Sequence, residues 1–187
     1  MTFTPDLFFV VYIQRFFLSY AFGSTVIIFL ARYAIFLDSI LILILFLSKE
    51  KRKRHGVEEA AWTTALALVF VVGIAKLVLR ARPFLVSHDV LLLIPAPFNT
   101  SFPSGHTAAA ISIALALYTA DRRLGMIAFF IAGCVALGRI SAGVHYPTDI
   151  LGGIFVGCIS FYIVRKFHSM LRARNIVSSA AHHIHDA

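Results

Sequence analysis

Apolar residues run through this 187-residue chain in long blocks separated by short polar gaps. Five blocks, roughly 30–48, 60–79, 106–120, 124–140 and 148–166, approach or reach the length a helix needs to cross a bilayer, about 20 residues. The third and fourth are short and need their flanks to complete a span. Ahead of them, residues 6–22 (DLFFVVYIQRFFLSYAF) are rich in aromatics but hold Gln14 and Arg15 at their centre. That pattern predicts a helix lying in the membrane interface, a span sheltering Arg15 being the alternative. There is no internal repeat, low-complexity segment or long linker. The pattern predicts an all-α polytopic membrane bundle of about five transmembrane helices in a single domain. Residues 1–25 are its interfacial helix, 60–166 its core and 175–187 a flexible tail. The three histidines of that tail are read as part of a frayed end rather than as metal ligands.

Composition agrees with a membrane protein: 59% of residues are hydrophobic, 14% are charged and mean hydropathy is +0.86. The extreme N-terminus has no positive charge and no clear small-residue cleavage site follows, so a cleaved signal peptide is not expected. Cys134 and Cys158 both lie in apolar stretches and read as small core residues rather than a disulfide.

The net charge of +8 is mostly a topology signal. Lys49, Lys51, Arg52, Lys53 and Arg54 fall between the first two spans, Arg122 and Arg123 between the third and fourth, and Arg165, Lys166, Arg172 and Arg174 beyond the fifth. Those segments share one side and hold eleven of the 17 Lys and Arg residues. The positive-inside rule makes that side cytoplasmic. Juxtamembrane clusters without a recognition motif exclude nucleic acid as the partner.

The opposite face receives Lys76, Arg80, Arg82, Ser104, His106, Arg139, His145 and Asp149. One ionisable residue at a span end is explained by snorkelling. A set of them on one face points to a site. Several cations without an acidic cluster suit an anion, and arginines suit phosphate. SFPSGHT, residues 101–107, reads as a helix start: Ser104 can cap it, and free N–H groups near Gly105 and His106 can face an anion. Glycine at 105 permits close backbone approach.

GRISAGVHYPTDILGG, residues 138–153, supplies the second half. Pro147 suits the first turn of a helix. His145 and Asp149, four apart, can share a face. An aspartate bonded to one imidazole nitrogen leaves the other free as a nucleophile. Metal ligation is the rival reading, against which stand the low carboxylate count and the surrounding cations.

These residues resemble the three signature motifs of the type 2 phosphatidic acid phosphatase superfamily of membrane lipid phosphatases. Pro103, Ser104, Gly105 and His106 match its second motif. Arg139, His145 and Asp149 match its third. Lys76, Arg82 and Pro83 match its first approximately. The resemblance spans about residues 60–166, with two departures. Position 138 is Gly where the family usually has Ser, which removes one phosphate donor. Lys76 is one residue too close to Arg82, which turns a helix by about 100°; either the long lysine stem compensates or Arg80 stands in.

The resemblance implies that His145 attacks phosphorus, Asp149 orients it and His106 protonates the leaving oxygen. It places Lys76, Arg82, Ser104, Gly105 and Arg139 around the phosphate, with no metal or other cofactor. The partners are then a lipid phosphate and the bilayer. Short length, an outward site and LLLIPAPFNTSFPSGHT resemble small bacterial undecaprenyl-diphosphate phosphatases in the inner membrane, with the site facing the periplasm. Phosphatidylglycerophosphate and lipid A phosphatases share the motifs. An inactive lipid-binding or transport protein is the reading from a different class. The apolar residues 90–98 either admit a lipid tail or pack over the bundle.

Overall fold

The computed structural model describes residues 4–95 and 100–185, the last fourteen of these by backbone alone. Its helices are α1 (Pro5–Leu18), α2 (Gly23–Arg32), α3 (Ala34–Phe46), α4 (Lys51–Val78), α5 (Pro83–Val86), α6 (Gly105–Ala120), α7 (Arg122–Ser141) and α8 (Pro147–His185). The described residues contain no strand.

Local chemistry sets four of the helix starts. The Thr4 side chain accepts from the Leu7 N–H to cap α1, and Ser104 accepts from the Thr107 N–H to cap α6. Asp121 accepts from the N–H groups of Arg123 and Leu124 and starts α7 immediately after α6. Pro147 opens α8. The stretch expected to be a flexible tail has helical backbone as far as His185, since no Gly or Pro interrupts it; residues 186–187 lie outside the described residues.

The centre of the bundle is α6, which packs on α4, α7 and α8. Its buried face is largely alanine: Ala108, Ala110, Ala114 and Ala116 are each fully buried. Small side chains let helices approach closely where lipid gives no hydrophobic drive for association. At one end the basic loops meet: Lys53 Nζ lies 3.4 Å from Asp121 Oδ2, and Lys51, Arg52 and Arg165 line one cavity. The other end gathers the C-termini of α4 and α7 and the N-termini of α6 and α8.

Three of the five expected spans are helices long and apolar enough to cross a membrane: α4 with α5, α7, and α8 to Leu171. The third, α6, has 16 residues and is shorter than a full span. The first differs from expectation: instead of one helix over 30–48, α2 and α3 meet at Tyr33 with a 47° bend. α2 packs against α7 beside this bend. Gly138 admits the α2 backbone so closely that a Cβ there would stand 2.5 Å from Ala31 N.

α1 is held to the bundle by Leu7, Val10, Val11 and Gln14, while Phe8, Phe9, Tyr12 and Phe16 face outward. The buried Gln14 amide donates to the carbonyls of Leu91 (2.7 Å) and Ser141 (2.8 Å), and its oxygen accepts from the Leu91 N–H (2.8 Å). The loop that Gln14 grips buries Val90 and Ile94 and exposes Leu91 and Leu92. Of the two alternatives for this stretch, packing over the bundle is met by Val90 and Ile94, while residues 96–98 lie outside the described residues.

Candidate active site

The three motif segments are stitched together by main-chain bonds. Leu79 ends α4 in the left-handed region (φ 47°) and turns the chain inward. The Ser101 N–H then donates to the Arg80 carbonyl (2.8 Å), and the Ser104 N–H to the Asp149 carbonyl (3.0 Å). Gly153 allows α8 to lie against the start of α6, for a Cβ there would stand 2.6 Å from the Ser104 oxygen.

His145 precedes α8 in the α7–α8 loop and is 3% exposed. Its Nδ1 faces Asp149 Oδ2 at 3.5 Å, and its Nε2 lies 3.4 Å from Arg82 Nη1. Arginine only donates, so this contact requires the lone pair on Nε2 and the proton on Nδ1, toward Asp149. The Nδ1 contact is long for a hydrogen bond, as such contacts commonly are before substrate tightens them. Burial pushes the imidazole down to about 4; the Asp149 carboxylate opposes this, and Arg139 and Arg82 add to it. At neutral pH His145 is an uncharged base with its free lone pair directed at a cation.

Asp149 is fully buried and completely engaged. Oδ1 accepts from Arg80 Nη1 (2.7 Å), and Oδ2 accepts from the Tyr146 N–H (2.8 Å) and the Ser101 hydroxyl. Arg82 donates to the carbonyls of Val144 (2.7 Å) and Thr100 (3.0 Å). Arg139, 5% exposed, donates from Nη1 to the Ala31 carbonyl (3.2 Å) at the α2–α3 break, while its Nε is buried without a partner among the described residues. His106, on the first turn of α6, lies within electrostatic reach of His145, Arg82 and Arg139. A base, a second histidine and two guanidiniums thus converge on one volume, an arrangement suited to an in-line attack on a phosphoryl group.

The other expected site residues fare differently. Ser104 is buried; its Oγ accepts from Thr107 N–H (3.4 Å) and Oγ1 (3.0 Å), contacts that leave its own proton available. A Cβ on Gly105 would meet Val71 of α4 at 3.5 Å, an ordinary contact, so packing within the chain does not demand glycine there. Lys76 is exposed on the last turn of α4, and no bond joins it to the site among the described residues. Arg80 reaches inward where Lys76 does not, and it binds carboxylates. Position 138 faces α2, so a serine hydroxyl could not be accommodated there as α2 now lies.

Ser101, Thr148 and Asp6 complete the site and escape a reading by motif. Asp6 accepts from Arg80 Nη2 (2.6 Å), from the Thr148 N–H (3.2 Å) and from the Thr148 hydroxyl. The available signal was that Asp6 is the one acid before Asp38, set at the start of an aromatic segment.

With this geometry in place, similarity to known proteins is informative. Residues 56–173 match the model of the PAP2 superfamily. The chain is 32% identical to undecaprenyl-diphosphatase BcrC of Bacillus subtilis over 149 residues, covering 80% of this chain and 77% of that protein. It is 30% identical over 141 residues to a putative undecaprenyl-diphosphatase, YbjG, of Escherichia coli, covering 73% and 71%. In structure it resembles crystalline LpxE of Aquifex aeolicus, with a TM-score of 0.73 and 27% identity over 88% of this chain and 97% of that one.

Proposed function

The chain belongs to the PAP2 superfamily and is a membrane lipid phosphate hydrolase; we propose that it hydrolyses undecaprenyl diphosphate to undecaprenyl phosphate by way of a phosphohistidine. The observation that carries the mechanism is the disposition of His145, with Nε2 against Arg82 and Nδ1 toward Asp149. The substrate rests on the names of the relatives and on the exposed Leu91 and Leu92 beside the site end, which suit a prenyl chain.

In the proposed sequence, the His145 Nε2 lone pair attacks the terminal phosphorus. The N–P bond forms as the bridging P–O bond breaks, and His106 gives its proton to the departing lipid phosphate. His106, now neutral, takes a proton from water. The resulting hydroxide displaces His145 from phosphorus, and inorganic phosphate leaves. Arg82, Arg139, the Ser104 hydroxyl and the N–H groups of Gly105 and His106 hold the equatorial oxygens, where charge develops in transfer. Asp149 balances the positive charge on the phosphorylated imidazole. The fixed guanidiniums take the part a divalent ion plays elsewhere. Lys76 is left out of the first contacts, and a swing of its stem would be needed to bring it in.

By the positive-inside rule the basic end lies in the cytoplasm, which places the site at the outer face of a bacterial inner membrane. The substrate would then be a carrier lipid of the outer leaflet.

Phosphate release by the purified protein, compared across undecaprenyl diphosphate, phosphatidylglycerophosphate and diphosphorylated lipid A, tests this. The fastest release is expected from undecaprenyl diphosphate and should vanish in His145→Ala. Faster release from another lipid would reassign the substrate, and retained release by His145→Ala would overturn the mechanism.

A further inference from the structure

We infer that Arg80 and Asp6 are positioning residues for the nucleophile: Arg80 bridges the carboxylates of Asp149 and Asp6, so the N-terminal helix α1 holds the orienting carboxylate of the site. This rests on the phosphohistidine reading above.

Both ends of the Arg80 fork are committed. Nη1 donates to Thr148 Oγ1 (2.6 Å) and Asp149 Oδ1 (2.7 Å), and Nη2 to Asp6 Oδ2 (2.6 Å). The guanidinium also stacks over the Tyr146 ring, 4.0 Å from its centroid. Arg139 differs, since it donates to the uncharged Ala31 carbonyl; Arg82 donates to the carbonyls of Val144 and Thr100. Arg80 is thus an arginine whose charge is paired with two carboxylates of the protein.

A carboxylate beside a histidine orients it only if its own rotation is fixed. Arg80 takes Oδ1 of Asp149, which directs Oδ2 to Ser101, the Tyr146 N–H and the Nδ1 side of His145. Losing the Arg80 bond frees that rotation and leaves a buried oxygen unsatisfied.

Asp6 does two things at once. It holds the second Nη of Arg80, and it receives the N–H and hydroxyl of Thr148 at the first turn of α8, where a negative charge is favoured. Asp149 lies one residue further along that turn. Asp6 is itself kept in place because α1 buries Leu7, Val10 and Val11 and is pinned by the three bonds of Gln14. The chain of contacts therefore runs from α1 through Arg80 to Asp149 and His145, without touching the phosphate volume.

Two measurements on the detergent-purified full chain test this. The first is turnover. Asp6→Asn, Arg80→Gln and Arg80→Lys (which keeps the charge but cannot span two carboxylates) should each lower kcat about ten- to a hundredfold, with the inhibition constant of inorganic phosphate, a ground-state anion, unchanged. The Asp6→Asn/Arg80→Gln pair should be no worse than the worse single variant. Arg80→Gln added to Asp149→Asn should cost nothing more, whereas a merely structural role would add its loss there as well. The second is the 15N spectrum of histidine-labelled protein, with His145 assigned by its absence in His145→Gln. Its Nδ1 resonance should move in Asp6→Asn and Arg80→Gln. An unmoved resonance overturns the assignment whatever the turnover, and joined to weakened inhibition by inorganic phosphate it makes Arg80 a phosphate ligand. A moved resonance in a protein that hydrolyses no lipid phosphate would leave the positioning standing and remove the phosphatase reading.

Discussion

Gly138 of α7 lies so close to Ala31 of α2 that a Cβ on it would stand 2.5 Å from the Ala31 nitrogen, and the next residue, Arg139, donates to the Ala31 carbonyl at 3.2 Å. One helix crossing therefore both requires glycine at 138 and anchors a site arginine at 139. Gly138→Ala and Gly138→Ser are each expected to lower Tm by roughly 2–12 °C, the range for overpacking a close contact in a chain of this size. Serine at this position should not raise activity. Unchanged melting of both variants in detergent would show that α2 does not rest on α7 in this way.

In the proposed mechanism His145 supplies the nucleophile and Asp149 its orientation. His145→Ala is expected to lose activity on the order of 10⁴-fold or more, His106→Ala similarly, and Asp149→Asn somewhat less. Alkali-quenched wild type should hold an alkali-stable, acid-labile phosphoenzyme, and His145→Ala should hold none. Labelled phosphate still bound to that variant would move the nucleophile elsewhere.

The imidazole of His145 is held down to about 4, against an ordinary value near 6.5. The unfolded chain therefore takes up this proton first as pH falls. Folded stability linked to His145 is complete above about pH 6.5 and is lost between there and about pH 4. Between pH 7 and pH 4.5, wild type should lose more Tm than His145→Gln, which lacks the group. An equal loss in both proteins would mean that His145 titrates normally.

Fixed guanidiniums stand where a metal-dependent phosphatase would place a cation. Activity on the preferred lipid should survive excess EDTA, and vanadate should inhibit by mimicking pentacoordinate phosphorus. Strict dependence on added Mg²⁺ would reverse this expectation.

The basic loops define one end of the bundle and the site the other. In a background with Cys134 and Cys158 replaced, His88→Cys on the exposed loop of the site end should react with an impermeant maleimide in intact cells. Arg122→Cys at the basic end should react only after permeabilisation. The opposite order would turn the site to the cytoplasm and leave its chemistry untouched.

The sequence by itself determined most of the apolar helices and the end of the bundle that gathers the proposed site residues. These are local properties: apolar runs of span length, Ser104, Asp121 and Pro147 at helix starts, and basic residues confined to alternate loops. His145 and Asp149 are close in sequence, and Asp149, on the first turn of α8, folds back on the Tyr146 N–H beside His145. Tertiary structure alone decided the rest. Arg80 joins Asp149 across 69 residues and Asp6 across 74, and Arg139 reaches Ala31 across 108. No periodicity encodes such pairings, because they depend on how far each helix slides and turns against its neighbours. The same holds for the break at Tyr33 and for Lys76, whose turn of helix faces outward while Arg80, released by the left-handed Leu79, faces in. Helices follow from neighbouring residues; a site at their ends follows from the packing that brings distant residues within bonding distance.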